Sequence, residues 1–272
     1  MMVALTGFKQ ITTLQAIESK EEKRENRDYL GMSQLGHSCS RYLYYSFRWC
    51  FIETFSARIL RLFDRGHREE DSIIKTLASV GIRCYDDQLE CSTAYGHCKG
   101  HIDGKSIGVL EAPKTEHLNE YKTMADKYFK EVCKIGVEAA KPIYYGQMQL
   151  YMGNMNLTRA LFVAVNKNDD SMYIERVPIR KEVGHRLEER AKQIILSDSA
   201  PEKEFKPTWY ECKFCGAKDI CHKGMTVEIN CRTCSYGDLL QAGKWKCSRC
   251  NLVLATDQQR VGCSEYIKLE YL

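Results

Sequence analysis

The chain has 272 residues and a mass of 31.4 kDa, enough for one sizeable core and a small additional unit. Hydrophobic residues make up 44% and charged residues 28%, as in ordinary globular proteins, and no apolar run approaches the roughly 18 residues of a membrane span. The N terminus lacks a charged segment followed by an apolar stretch, so we expect no secretory signal, a cytoplasmic location and no membrane partner. The net charge of +4 is compatible with a polyanionic partner but does not require one.

In chain order, the pattern predicts a mixed α/β body followed by a cysteine-rich region. Residues 1–35 form a polar N-terminal extension, and helical periodicity dominates 36–82. Alternation and turn residues then predict strands over 82–92, 97–103 and 117–122. The rest of the body is predicted as helices over 125–135 and 141–152, strands over 160–166 and 172–178, and a helix over 181–197. The composition changes near 201, and cysteine dominates from 212 onward.

Arginine and aromatic residues are interleaved between 41 and 68. The arginines are Arg41, Arg48, Arg58, Arg61, Arg65 and Arg68, and the aromatic residues are Tyr42, Tyr44, Tyr45, Phe47 and Trp49. Such a mixture suits a nucleic-acid strand, through phosphate contacts and base stacking. An amphipathic helix with aromatic residues in the core and arginines in solvent explains the same pattern, and is the better explanation of the pattern alone.

An acid and an amine lie side by side in the predicted strand over 117–122. Glu120 and Lys122 are two residues apart and so project from one face of a strand, whereas Tyr121 points into the opposite packing layer. Asp103 ends the preceding predicted strand, within reach of both across a hairpin. Two carboxylates can hold Mg²⁺ or Mn²⁺, which polarises a phosphate and acidifies a water, and the lysine can orient that water or stabilise charge. The segment predicts phosphodiester hydrolysis.

A bare Glu-x-Lys is common on solvated strands, so the hypothesis needs support from elsewhere in the chain. Three further residues provide it. His67 lies upstream in a helical segment and offers another metal ligand. Gln147 and Tyr151 are four residues apart on a predicted helix, so they share one face and can reach a phosphate or the lysine.

A second acid and amine also follow Asp103, at Glu111 and Lys114. Their spacing of three sends them to opposite faces of a strand, and Pro113 argues against a central strand there. We therefore prefer Glu120 and Lys122, and interpret 105–116 as an insertion before the catalytic strand.

Together these residues resemble the PD-(D/E)xK nuclease superfamily, in its RecB-like branch, which includes CRISPR-adaptation exonucleases and related phage-encoded nucleases. The matching motifs are Gly66-His67, Gly100-His101-Ile102-Asp103, Glu120-Tyr121-Lys122 and Gln147-x-x-x-Tyr151, and the resemblance covers about 37–221. It implies an α/β fold of the restriction-endonuclease type, with a central mixed sheet flanked by helices. It also implies that His67, Asp103 and Glu120 bind metal with help from the Tyr121 carbonyl, that Lys122 is catalytic, and that Gln147 and Tyr151 support the site or the DNA.

Fourteen cysteines are many for a cytoplasmic chain, where clustered thiols indicate metal binding more than disulfides. Cys212, Cys215 and Cys221 form an incomplete tetrahedral set. In the RecB-like iron–sulfur nucleases that this layout resembles, one N-terminal cysteine completes such a trio around a [4Fe–4S] cluster, which implies Cys39 as the fourth ligand. Four thiolates would serve zinc equally well, and this alternative stays open.

A second cysteine group follows, with two C-x-x-C pairs separated by 12 residues, 235–246. This spacing is typical of a zinc ribbon and predicts Zn²⁺ bound by Cys231, Cys234, Cys247 and Cys250. In related phage nucleases a cysteine at the position of Cys263 contributes instead of one member of the second pair, so Cys263 is the substitute ligand.

These inferences divide the chain into an extension over 1–35, a RecB-like nuclease domain closed by the cluster over 36–225, and a zinc-ribbon-like tail over 226–272. The leading hypothesis is a divalent-metal-dependent DNA nuclease, a single-strand exonuclease in phage recombination, phage replication or CRISPR adaptation, in the host cytoplasm if phage-encoded. The expected partner is DNA with single-stranded or duplex ends. The alternative is an iron–sulfur DNA-binding subunit of a recombination or spacer-acquisition complex with little cleavage activity. A redox iron–sulfur protein is a third interpretation. Recombination or CRISPR-adaptation proteins are candidate partners, and an oligomer is compatible with all three.

Overall fold

The computed structural model describes residues 11–24, 26–270 and 272, so the first ten residues of the predicted extension lie outside the described part. The helices are α1 Thr13–Glu18, α2 Ser40–Phe47, α3 Ala57–Ser79, α4 Asp126–Ala140, α5 Pro142–Asn154, α6 Lys181–Leu196, α7 Lys218–Lys223 and α8 Thr256–Arg260. The strands are β1 Glu21–Arg24, β2 Leu30–Gly31, β3 Glu53–Ser56, β4 Arg83–Tyr85, β5 Glu90–Thr93, β6 Cys98–His101, β7 Lys105–Ile107, β8 His117–Met124, β9 Arg159–Asn166, β10 Met172–Pro178, β11 Gly237–Leu239, β12 Trp245–Cys247 and β13 Leu252–Leu254. No helix among the described residues has the length and apolar character needed to cross a bilayer.

A mixed sheet of five described strands lies at the centre, in the order β10-β9-β8-β7-β4. Strands β8 and β9 run parallel from the pair Leu118↔Ala160 to the pair Met124↔Asn166, and the other neighbours are antiparallel. A parallel pair needs a crossover connection, which α4 and α5 provide here.

Helices cover both faces of this sheet. Strand β9 is apolar on both sides, so each of its faces is buried against a helix. Its alternate residues Leu161, Val163 and Val165 pack in one cluster with Ile73 and Leu77 of α3. The intervening residues Ala160, Phe162 and Ala164 belong to the main core, together with Met148 and Met152 of α5. The predicted fold class, a mixed α/β sheet flanked by helices, is confirmed.

The structure differs from the prediction over 36–92. The stretch 36–82 is helical only in α2 and α3, with the short strand β3 between them. The predicted strand over 82–92 divides in two, because Asp86 and Gln88 adopt positive φ angles of 54° and 55° that reverse the chain. As a result β4 joins the central sheet, whereas β5 joins a separate sheet with the order β2-β6-β5.

The interpretation of 105–116 as an insertion is wrong in its first part. Lys105–Ile107 form β7, which pairs with both β4 and β8 and so belongs to the central sheet. Its three residues are too few to show an alternating pattern in the sequence. The remainder is a loop in which Glu111 and Lys114 are both exposed, as their rejection for the site requires.

The aromatic residues of 42–49 lie in the interior. Tyr44, Tyr45, Phe47 and Trp49 are all 3% exposed or less, and Arg48 is only 4% exposed. Tyr44, Tyr45, Phe47 and Trp49 are therefore core, as the amphipathic-helix interpretation predicts, whereas Arg48 is buried with them and not in solvent.

Residues 226–272 pack against this interior through a buried arginine. Arg232, 1% exposed, donates hydrogen bonds to the Phe47 carbonyl at 3.1 Å and the Asp28 carbonyl at 2.9 Å. Its Nε donates to Gln259 at 2.9 Å, and its guanidinium lies 3.7 Å from the ring centroid of Trp49. Burial lowers the pKa of this guanidinium, and the three acceptors and the aromatic face compensate its charge.

Candidate active site and cysteine centres

Strand β8 carries polar side chains in the middle of the sheet. Glu120 has no exposed surface, and Tyr121 packs in the opposite layer with Ile73 and Leu77 of α3. Burying a carboxylate costs free energy unless a partner compensates its charge. A central strand that keeps such a residue is a strong indication of a functional site.

Three oxygen atoms converge on the ammonium group of Lys122. Its Nζ lies 2.5 Å from Glu120 Oε1 and 3.7 Å from Asp103 Oδ2, and it donates a hydrogen bond of 2.9 Å to the Tyr121 carbonyl. Asp103 Oδ2 is held in place by the Tyr121 N–H, which donates to it at 2.8 Å. Asp103, Glu120 and the Tyr121 carbonyl are thus brought together around the ammonium group of Lys122, whose side chain is 24% exposed.

Helix α5 supports the acid of this group. Gln147 Nε2 donates a hydrogen bond of 3.0 Å to Glu120 Oε2, which fixes the plane of the carboxylate. Tyr151, one turn further along and 2% exposed, has its hydroxyl against Gly100, where a Cβ would collide with it. Gly100 is therefore needed for the close approach of β6 and α5.

Tyr144 and Glu70 are two site residues that the sequence argument missed. The Tyr144 ring centroid lies 5.4 Å from Lys122 Nζ, and its position three residues before Gln147 on α5 is the signal that could have found it. Glu70 is half-buried, and its pKa is raised by burial and next by the negative charge of Asp103. Glu70 lies three residues after His67 on α3, so the two share a face.

His67 itself is exposed, and it interacts electrostatically with Glu70.

The charges of Lys122 and Glu120 depend on each other. Burial would lower the pKa of Lys122, but the carboxylates of Glu120 and Asp103 outweigh it and raise that pKa. Burial raises the pKa of Glu120, and Lys122 opposes this shift. The two residues therefore form a mutually dependent buried ion pair.

The residues present fit a divalent cation in charge and in ligand type. Glu70, Asp103 and Glu120 are three carboxylates facing one ammonium, which leaves two negative charges uncompensated. Glu120 Oε1 is buried and accepts no hydrogen bond from the described residues beyond its ion pair with Lys122. Carboxylate and carbonyl oxygens are the ligands that Mg²⁺ and Mn²⁺ prefer. Within the described ranges, however, no three His, Cys, Asp or Glu side chains are close enough to hold a metal as they stand.

Cys39 lies beside the distant trio of cysteines. A cavity of about 310 Å³ is lined by Cys39, Cys212 and Cys215, between α2 and the segment before α7. Cys215 is within electrostatic range of Cys39, Cys212 and Cys221, so the four thiols form one group. Cys39 is also the N-cap of α2, and its sulfur accepts a hydrogen bond of 3.4 Å from the Tyr42 N–H. The donor set is suitable for a cluster or for zinc.

The tail cysteines form a second group at the antiparallel sheet β11-β12-β13. Cys231 is within electrostatic range of Cys234, Cys247, Cys250 and Cys263. Cys250 Sγ lies 3.4 Å from Cys247 Sγ, at the turn between β12 and β13. Among the described residues, these thiols are not close enough to hold a metal as they stand, and the choice between Cys250 and Cys263 stays open.

Three solved structures are similar to this chain in backbone. An alkaline exonuclease, LHK-Exo from Laribacter hongkongensis, has 15% identity and a TM-score of 0.46 over 62% of this chain and 87% of that chain. LHK-Exo in complex with dAMP gives 15% identity and a TM-score of 0.43 over 62% and 86%. The protein SSO0001 gives 16% identity and a TM-score of 0.42 over 75% and 90%. No protein-family model and no curated protein matches the chain. Likenesses of this degree do not bear on activity.

Proposed function

We propose that this chain is a divalent-metal-dependent DNA nuclease, acting as an exonuclease on single-stranded ends. The observation that supports the proposal is the convergence of Asp103, Glu120 and the Tyr121 carbonyl on the partly exposed ammonium of Lys122, beside the half-buried Glu70. In phosphodiester hydrolysis, a water oxygen bonds to phosphorus, the bond to the sugar oxygen breaks, and a proton reaches that oxygen. A bound Mg²⁺ or Mn²⁺ would polarise the phosphate and ease the loss of a proton from the attacking water.

Each residue of the candidate site has a role in this proposal. Asp103, Glu120 and the Tyr121 carbonyl would hold the divalent metal, with Glu70 and His67 as further candidate ligands. Lys122 would then leave these oxygens and lie beside the phosphate, where its ammonium would stabilise the developing negative charge. Gln147 keeps Glu120 oriented through the 3.0 Å hydrogen bond, and Tyr151 holds α5 against β6.

Removal of divalent metal is expected to stop cleavage completely. A single-stranded oligonucleotide labelled at one end is incubated with the protein in Mn²⁺, in Mg²⁺ and in EDTA, and the products are separated by length. We expect mononucleotides or short products with either metal, and none in EDTA. Product formation at an equal rate in EDTA would contradict the proposal. Retention of the oligonucleotide without cleavage in any metal would favour the DNA-binding subunit instead.

We also propose a [4Fe–4S] cluster on Cys39, Cys212, Cys215 and Cys221, and zinc on the tail group with Cys231, Cys234, Cys247 and Cys250, with Cys263 as the substitute ligand. The supporting observation for the first is that Cys39 lines one cavity with Cys212 and Cys215, far from them in sequence. The pathway, whether phage recombination, phage replication or CRISPR adaptation, and the partner proteins stay predictions from the resemblance.

Replacing Cys39 by Ser is expected to remove most of the iron, since a cluster with one thiolate missing is held weakly. Protein purified without oxygen is analysed for iron and zinc and for the visible absorbance of the cluster. The matched control is Cys133→Ser, because Cys133 is exposed on α4, and it should keep the wild-type iron content. Wild-type protein with no iron and two zinc ions per chain, one of them lost in Cys39→Ser, would assign this site to zinc.

A further inference from the structure

One face of α5 leads out of the candidate active site. Gln147 and Tyr151, which belong to the site, are 8% and 2% exposed. Tyr144 lies three residues before Gln147 and seven before Tyr151, so it continues the same face toward the N terminus of the helix. It is only half-buried, and its ring centroid lies 5.4 Å from Lys122 Nζ. An aromatic ring that a ligand can reach therefore lies directly beside the ammonium group.

The same tyrosine lines a cavity of about 270 Å³. The other residues around this cavity are Ala140, Lys141, Pro142 and Ile143, so most of its lining is apolar. Ile143 is 39% exposed and Pro142 is exposed as well, so solvent reaches this lining. Pockets for drug-sized ligands have volumes of about 300–1,000 Å³. This cavity is slightly smaller, which suits a ligand of the size of one nucleobase.

The charged residue of this lining already has partners. Lys141 Nζ lies 4.0 Å from the ring centroid of Tyr128 and 3.6 Å from a carboxylate oxygen of Glu131. These two groups compensate the ammonium charge, so the cavity presents apolar and aromatic surface to a ligand. Such a lining suits the flat, uncharged face of a base, whereas a phosphate is better placed beside Lys122.

We propose that a base near the end of the DNA strand stacks on the ring of Tyr144 in this cavity while the phosphate to be cleaved lies beside Lys122. This inference rests on the proposed nuclease function, which brings the phosphate to Lys122. Because a sugar separates base and phosphate, the short distance between the Tyr144 ring and Lys122 suits a base and a phosphate of one nucleotide or of two adjacent ones. Every base has an aromatic face, so this contact positions the strand without a preference for sequence.

The test combines loss of the ring with loss of the bases. Single strands of about eight nucleotides are made complete, or with the last two bases at the 5′ or the 3′ end replaced by abasic sugars, and each carries a fluorophore at the opposite end. Their affinities for the wild type and the variants are measured by fluorescence anisotropy in Ca²⁺, a cation that oxygen ligands bind. Gel electrophoresis verifies that the strands stay intact.

We expect Tyr144→Ala to weaken binding of the complete strand about fivefold or more, and to leave binding of the strand that is abasic at one of the two ends unchanged. Tyr144→Phe keeps the ring and should bind all strands as the wild type does. Alanine and leucine are good helix formers, so Tyr144→Ala and Tyr144→Leu should both stay folded and behave alike. The matched control is Tyr210→Ala, because Tyr210 is 70% exposed and lines the cavity of the cysteines instead. It should change no affinity.

The outcomes separate this base site from the proposed activity. Equal losses for complete and abasic strands in Tyr144→Ala would overturn the inference, because they would mean that Tyr144 acts only by holding Lys122. Unchanged binding of the complete strand by a folded variant without the ring would overturn it too, as would failure of the wild type to bind the strand. Base-dependent binding through Tyr144 in a protein that cleaves nothing in Mn²⁺ would support the base site and contradict the nuclease function.

Discussion

Replacing Glu120 by Gln is expected to lower the cleavage rate on the order of 10³-fold while the protein stays folded. Glutamine has nearly the same shape, so it fills the fully buried position of Glu120 next to Gln147. The substitution removes the carboxylate charge that pairs with Lys122 and that would bind the metal, because a neutral amide is a poor ligand for Mg²⁺. The change removes the ion pair between Glu120 and Lys122, but it also removes the free-energy cost of burying the Glu120 carboxylate. These two effects on the stability of the fold oppose each other.

The control for this variant is Glu111→Gln. Glu111 is the other acid after Asp103, and it lies exposed in the loop between β7 and β8. The rates of both variants are measured on the end-labelled single strand in Mn²⁺, and folding is checked by circular dichroism. Equal activity of Glu120→Gln and the wild type would remove Glu120 from the site. Loss of activity in Glu111→Gln alone would reverse the choice between the two acids.

Replacing Arg232 by Ala is expected to lower the free energy of unfolding by about 3–4 kcal/mol. The change leaves a cavity against Trp49 and removes the donors to the carbonyls of Phe47 and Asp28 and to Gln259. Lysine should restore little of this stability, because its ammonium cannot bond to three acceptors in the planar arrangement of a guanidinium or stack on a ring.

Urea unfolding followed by circular dichroism measures this effect, with Arg249→Ala as the control. Arg249 also lies in the tail, but it is exposed and forms a surface ion pair of 2.5 Å with Glu265. Its removal should leave the unfolding midpoint unchanged within the error of the measurement. Equal midpoints for Arg232→Ala and the wild type would show that the tail contributes nothing to the stability of the body.

The sequence was most informative for the long elements. Strands β8 and β9 and helices α5 and α6 lie within a few residues of their predicted ranges, because each contains enough buried apolar residues to stand out from the turns that flank it. The two-residue spacing of Glu120 and Lys122 placed them on one face. By contrast, β7 has only three residues, and the predicted strand over 82–92 runs through a turn at Asp86 and Gln88, where φ is positive.

The site was predicted less completely than the fold. Glu70 was not selected as a site residue, since a carboxylate on a charged helix resembles any solvated one until the sheet brings Asp103 near it. The link from Cys39 to the trio could not be read from spacing, because a contact across so many residues depends on the whole topology. It came from the family resemblance, and the structure brings Cys39, Cys212 and Cys215 to one cavity.

Helix α2 has consequences for how the protein is made. Its N-cap is Cys39, and the carbonyl at its other end accepts from Arg232, which is 185 residues later in the chain. At synthesis rates of about 5–20 residues per second, the ribosome needs roughly 10–40 s to add the residues that cover this helix. During that interval Arg232 and the tail are not yet present to pack against α2. We therefore expect the nascent chain to expose the aromatic side chains of α2 to chaperones until translation is nearly finished.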